Sequence, residues 1–131
     1  MEHFRINTIE DFIELYPSLF SQKRLSEWRR LFSSNAVMAK VNKKDTTVIL
    51  SIDEAMHEQE EYASENDSFE EKWGNIKKNI HGNIAIVLAD YTLTTNHEIR
   101  EGIDVVTLAY DEIHGWRIIS LVYEQTKFKK I

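Results

Sequence analysis

Two carboxylates interrupt otherwise apolar, strand-like runs: Asp90 in GNIAIVLADYTLTT (82–95) and Asp104 in REGIDVVTLAYDE (100–112). A carboxylate taken out of water must find a partner or take up a proton, because desolvation raises its pKa. A carboxyl shielded in that way can act as a general base or acid near neutral pH. Counting alternate residues places Asp90 and Asp104 on the side of Leu88 and Val106, the predicted pocket side. Tyr16 on the first predicted helix and Lys40 on the first predicted strand are set to face the same cavity. A tyrosine there can donate a hydrogen bond to developing negative charge, so Tyr16, Asp90 and Asp104 form the candidate catalytic set. An ion pair of Lys40 with Asp90 or Asp104 would satisfy the buried charge and could hold a polar ligand. The same residues also read as a structural ion pair, or as charges at an exposed strand end.

Other chemistries find little support in the residue types. There is no cysteine, which excludes disulfides, thiolate metal sites and thiol catalysis. His57, Glu58 and Glu61 share a helix but do not make HExxH, and His97 falls in a predicted hairpin loop. His81 and His114 precede glycines in turns, and His3 is near the terminus. No metal site and no cofactor is therefore expected. No glycine-flanked nucleophile elbow or glycine-rich phosphate loop occurs.

The formal charge of −6 disfavours nucleic acid and anionic membrane surfaces as partners. The local clusters Lys23, Arg24, Arg29, Arg30 and Lys127, Lys129, Lys130 read as solvated charge. Residues 53–71 hold nine acids and no Lys or Arg, read as a solvated helix face and a following loop. The start, MEHFRINTIEDF, carries acids and lacks an apolar core, which predicts no secretory peptide. A cytoplasmic location is the expectation, with no membrane span.

The elements that must position these residues are legible from periodicity. Helix one begins at Asn7 or Thr8, and Ile9, Phe12, Ile13, Tyr16, Leu19 and Phe20 make its apolar stripe. Pro17 should kink or end it. Leu25, Trp28, Leu31 and Phe32 share a face of helix two, which Ser33-Ser34-Asn35 closes. Residues 36–41 and 46–50 read as a strand pair around a polar turn. Ser51-Ile52-Asp53-Glu54 is a capping box that opens helix three. Residues 69–80 fit helical spacing, yet Gly74 and the β-branched residues favour a long bent strand with a bulge near Gly74.

Three long strands follow, and each is apolar on both faces. In the first, Ile84, Ile86 and Leu88 oppose Ala85, Val87, Ala89 and Tyr91. In GWRIISLVYEQ (115–125), Trp116, Ile118 and Val122 oppose Ile119, Leu121 and Tyr123. An antiparallel sheet normally leaves one face wet, so one face here needs the helices and the other a second copy of the chain. Ala85, Val87, Tyr91, Ile119, Leu121 and Tyr123 are the predicted homodimer face. Lys40, Trp28, Phe32, Leu88, Val106, Trp116 and Ser120 are the predicted ligand-binding wall. Trp28, Trp73 and Trp116 read first as core anchors, and Trp28, Phe32 and Trp116 are the side chains able to plug the pocket.

WRRLFSSNAV (28–37), GNIAIV (82–87) and GWRIISLVYE (115–124) resemble elements of the nuclear transport factor 2-like superfamily, also called SnoaL-like or cystatin-like. The resemblance spans nearly the whole chain. It implies one α+β domain over residues 1–131: a curved antiparallel sheet wrapped around N-terminal helices, a cone-shaped barrel with a central pocket. Such cones host isomerases, dehydratases, cyclases and non-catalytic modules. In ketosteroid isomerase-like members a helix-one tyrosine serves the oxyanion, and Tyr16 falls there. Lys40 takes the place of their general base and Val106 that of their protonated acid, so steroid-type proton transfer is not expected. None of the five histidines falls where the His/Asp pair of scytalone dehydratase-like members would require. A cationic Lys40 would favour an anionic ligand. The resulting expectation is a dimeric cone that binds a small ligand or acts as a non-catalytic module. An isomerase, dehydratase or cyclase is the first alternative, and a protein-interaction module the second.

Overall fold

The computed structural model describes residues 5–131; His3 lies outside the described residues. Helix α1 (Ile9–Ser21) starts at Thr8, whose hydroxyl accepts from Asp11 N at 3.1 Å. It runs through Pro17 without ending there. The proline removes one hydrogen bond, but Tyr16, Leu19 and Phe20 are all buried and hold the last turn by packing. Helix α2 (Leu25–Arg30) buries Leu25 and Trp28. Strand β1 (Phe32–Val41) begins earlier than the polar Ser33-Ser34-Asn35 suggested, because a register shift between Phe32 and Val37 accommodates them. Strand β2 is Val48–Ser51 and helix α3 is Ile52–Ser64, opened by the expected box between Ser51 and Glu54.

Strands β3 (Phe69–His81), β4 (Ile84–Thr95), β5 (Glu98–Asp111) and β6 (Gly115–Lys130) complete one sheet in the order β2-β1-β6-β5-β4-β3. All neighbours are antiparallel except β1 and β6, which no hairpin joins and which pair in parallel. β3 is the long bulged strand expected: its register shifts between Gly74 and Lys77, with Asn75 at φ 48°. Asparagine tolerates that left-handed backbone better than most residues. Bulges in β1, β3 and β6 bend the sheet, and α1 and α3 cover its inner side against β3 and β1. The sheet does not close on itself, since β2 and β3 are both edges. Among the described residues no helix is long and apolar enough to cross a membrane.

Two faces come out opposite to the alternation count. On β4 it is Ala85, Val87, Ala89, Tyr91 and Leu93 that face the helices, while Ile84, Ile86 and Asp90 are exposed. Both faces are apolar, so hydrophobicity could not choose between them; the small Ala85 and Ala89 suit the side that lies under packed helices. On β6 a bulge places Ile118 opposite Leu108 but Ser120 opposite Thr107, so Ile119 is skipped. The inward set therefore changes from Trp116 and Ile118 to Leu121 and Tyr123. The predicted dimer face is corrected accordingly. Ala85, Val87, Tyr91 and Leu121 are buried inside, Tyr123 lines the cavity, and only Ile119 of that set lies outside.

Candidate functional site

A cavity of about 250 Å³ opens between the helices and the inner face of the sheet. Its apolar wall is made by Tyr16 and Phe20 of α1, Trp28 of α2, Met38 of β1, Leu93 of β4 and Leu121 of β6. The α1 stripe puts Tyr16 inward, where its ring stacks on Trp73 at 4.7 Å between centroids and 18° between planes. Trp73 is held by β3, one pleat from Glu71, and its Nε1 donates to Asp104 Oδ2 on β5 at 2.9 Å. The Tyr91 ring lies across Gly102, where a Cβ would come within 2.6 Å of the ring and closer still to the Glu124 carbonyl. A side chain at 102 would therefore push Tyr91 off the cavity floor.

Asp104 is 4 % exposed. Burial pushes its carboxyl up to about 7, with the Trp73 N–H offsetting part of the rise. A second acid lies beside it. The Glu71 residue is half-buried, but its carboxyl is enclosed and Oε2 has no hydrogen-bond partner among the described residues. Burial first, and then the charge of Asp104, raise Glu71 well above the ordinary carboxylate range. Two such carboxyls titrate as a pair, and each disfavours ionisation of the other, so a shared proton is preferred to two negative charges. Tyr16 is held well above its usual value, by burial first and then by Glu71 and Asp104, so its hydroxyl stays protonated. Trp28 Nε1 sits near enough to Tyr16 to favour the ionised phenol, yet it reaches no acceptor at hydrogen-bond geometry.

Glu71 is located through its backbone. Its N–H donates to Ser21 Oγ at 2.8 Å, and that hydroxyl in turn donates to Pro17 O at 2.7 Å. The last turn of α1 thereby fixes the height of the second carboxyl. Sequence reasoning had grouped Glu71 with the solvated acid run. Its signal was the alternation Phe69, Glu71, Trp73, in which two aromatics that face inward carry the residue between them inward too.

The remaining sequence candidates divide. Tyr16, Trp28, Lys40 and Asp104 line the cavity. Lys40 is at its exposed mouth, in cross-strand register with Tyr123, which is itself in register with Asp104. Two strand spacings, roughly 10 Å, therefore separate the Lys40 and Asp104 backbones, and no ion pair joins them. Asp90 is a correction: it is exposed on the opposite face, where Asn75 Nδ2 donates to it at 2.7 Å. Leu88 and Ser120 point the same outward way and are not pocket residues. Phe32 and Val106 are buried core, and Trp116 packs on Tyr110 at 5.5 Å, away from the cavity. Trp28 meets Phe32 edge-on at 4.8 Å and forms a wall, so neither these two nor Trp116 plugs the space.

The mouth adds residues that the sequence did not single out. Arg100 donates to Glu98 at 2.7 Å and to Gln125 at 3.0 Å, and its guanidinium lies 5.7 Å from the Tyr62 ring centroid. Tyr62 also donates to Glu98 at 3.0 Å. Desolvation and that carboxylate raise the Tyr62 pKa to about 12. Among the described residues no histidine lines the cavity; His57 meets Glu61 at 3.1 Å and His114 meets Asp111 at 3.0 Å on the surface. No three His, Cys, Asp or Glu side chains among the described residues converge as metal ligands.

No family model and no curated protein matches the sequence. Solved structures do match. A candidate scytalone dehydratase from Novosphingobium aromaticivorans superposes with a TM-score of 0.79 at 13 % identity, over 94 % of this chain and 85 % of that one. A nuclear transport factor 2-like protein with a cystatin-like fold, from the same organism, gives 0.71 at 12 % identity over 91 % and 80 %. A candidate aromatic ring hydroxylase, again from that organism, gives 0.76 at 11 % identity over 94 % and 90 %. The chain has the nuclear transport factor 2-like, cystatin-like α+β fold. At these identities the likeness speaks to the fold, and the named activities differ among the neighbours.

Proposed function

We propose that the protein binds a small, largely apolar molecule in the cone and transfers a proton within it, as an isomerase or lyase does. The observation that carries this is the unpartnered, buried Glu71 Oε2 beside Asp104. A structural core would be more stable with that carboxyl replaced by an apolar group, so its retention fits a reacting ligand. Asp104, oriented by Trp73, takes a proton from carbon; the electron pair moves to an oxygen of the ligand that Tyr16 stabilises by donating a hydrogen bond. Glu71, whose carboxyl burial and the charge of Asp104 hold well above the ordinary carboxylate range, returns one to carbon or to a departing hydroxyl. One structural neighbour is described as a candidate scytalone dehydratase. Dehydration needs one group that takes a proton and another that gives one, the division proposed for Asp104 and Glu71. The non-catalytic reading favoured by the sequence rested on the two-faced apolar strands and on Lys40 and Val106, and Glu71 was not part of it.

The test uses nitrobenzisoxazole, a neutral planar probe. A base removes its ring C–H proton, the N–O bond breaks, a nitrile forms, and the electron pair ends on a coloured phenolate oxygen. The protein should open it far faster than acetate at equal concentration, and Asp104→Asn should lose most of that rate. Turnover no better than acetate would remove the proton-transfer reading and leave the binding module.

We further propose a homodimer through the outer sheet face. Ile84, Ile86, Ile103 and Ile119 are exposed there by 56, 38, 41 and 43 %, on neighbouring strands. Such a contiguous patch is more than a monomer usually leaves to water.

A further inference from the structure

We infer that the cavity is built for a cationic organic ligand, an amine or a substituted ammonium, whose charge is held by Glu71 and Asp104 among tyrosines and a tryptophan. The inference deepens the proposed function by naming a ligand class. It rests on the cavity being an open ligand site and not on the proton transfer.

Three features converge on that ligand. Glu71 Oε2 is enclosed in the cavity wall with no donor among the described residues, whereas Asp104 has the Trp73 N–H. The proton that Glu71 and Asp104 share leaves the pair one negative charge, and an ammonium in the cavity supplies the matching charge and N–H donors. The space around it is aromatic: Tyr16, Trp28, Tyr91 and Tyr123 all line it, with Tyr91 and Tyr123 edge to face at 6.4 Å. Ring faces carry negative potential, so they favour a cation and disfavour an anion at the same place.

Size agrees as well. An apolar cavity of about 150 Å³ is known to admit a benzene ring. The 250 Å³ here suits one ring and a short amine-bearing arm. The positive groups at the mouth do not reverse this preference. Arg100 is neutralised by Glu98 at 2.7 Å. Lys40 is solvent-exposed at the rim and roughly two strand spacings from Asp104, where water screens it. The anionic ligand that Lys40 suggested from sequence would have to keep its charge at that rim, since the interior is lined by two acids.

Phenethylammonium, phenethyl alcohol and hydrocinnamate share a ring and arm and differ in charge, and tryptophan fluorescence or calorimetry reads their binding to the full chain. The expected result is that the ammonium binds at least tenfold more tightly than the alcohol, with hydrocinnamate weakest. Glu71→Gln combined with Asp104→Asn should bring the ammonium to the level of the alcohol in the same variant. A thermal melt of the variant checks that it is folded, and the comparison of the three probes on the unmodified protein stands without it. Equal binding of ammonium and alcohol, no binding of either, or tightest binding of hydrocinnamate would overturn the inference. Amine binding without opening of nitrobenzisoxazole would remove only the proton transfer. Turnover of the neutral probe without an amine preference would remove only the inference drawn here.

Discussion

Trp73 joins the two halves of the site to Asp104: its ring stacks on Tyr16 while its Nε1 donates to Asp104 Oδ2 at 2.9 Å. The hydrogen bond favours the ionised carboxylate and opposes the larger effect of burial, which pushes Asp104 up to about 7. Activity that needs ionised Asp104 should therefore rise with pH and level off above that value. Trp73→Phe keeps a ring and loses the donor. Its pH–rate profile should move to higher pH, with a lower rate at pH 7. A profile that stays where the wild type has it would mean that Asp104 is not the titrating base.

The same shift makes a prediction for stability. The folded Asp104 has its pKa raised from 3.8, so between about pH 4 and 7 the native state binds more protons than the unfolded state. Stability should then fall as pH rises through that window and flatten above it. Asp104→Asn stays neutral and still offers Trp73 an acceptor oxygen. We expect it to be more stable than wild type at pH 8, by on the order of 2 kcal/mol, and to show a flatter pH dependence. Thermal melts of both proteins from pH 4 to 8 decide this. A variant less stable at pH 8 would show that the carboxylate is favourably solvated in place.

The helices, the capping box and the inward Tyr16 were legible from local patterns, and the bulged third strand, whose spacing also fits a helix, from Gly74 and its β-branched residues. Asp104 was placed on the correct side, but its strand neighbours on β4 were not, since Ile84, Ile86 and Leu88 are as apolar as Ala85, Val87 and Ala89. The skipped Ile119 is a second limit: a bulge costs one residue and turns over every side chain beyond it, and no glycine marks this one. Glu71 was hidden by its company, as the last of a run of acids most of which do face water.

Gly102 supports the cavity floor by having no side chain. A Cβ there would strike the Glu124 carbonyl and lie 2.6 Å from the Tyr91 ring. Gly102→Ala should cost about 1–3 kcal/mol, as overpacking does, and should weaken binding in the cavity by displacing Tyr91. Denaturant melts with a loss below about 0.5 kcal/mol would indicate that both neighbours yield freely.

Trp116 starts β6 at the end of the sheet remote from the cavity mouth. It is 7 % exposed, packs on Tyr110 and donates its backbone N–H to Ile6 O at 2.8 Å. Trp116→Ala removes a large buried side chain and should destabilise by about 3–5 kcal/mol. Because Trp116 does not line the cavity, a residual folded fraction should bind ligand with unchanged affinity. A loss of affinity in the folded fraction would place the cavity wall further along the cone than the lining residues do.

The outer face carries the last prediction. Its apolar centre crosses β4, β5 and β6 through Ile86, Val105 and Val122, and continues onto β1 at Val37 and Ala39. Asp90 and Glu124 belong to the same face, Asp90 opposite Ile103 on one side and Glu124 opposite it on the other. A two-fold pairing would bury the isoleucines and leave those acids at the rim, where they remain hydrated. Sedimentation at micromolar concentration should give about twice the 15.4 kDa of one chain. Ile86→Lys together with Ile103→Lys should give the single-chain mass, because two buried cations would face two more across the axis. The inner face is untouched by those substitutions, so the monomer should still fold. A wild-type protein that sediments as one chain at that concentration would leave the isoleucine face without a second copy to cover it, and the homodimer would be abandoned.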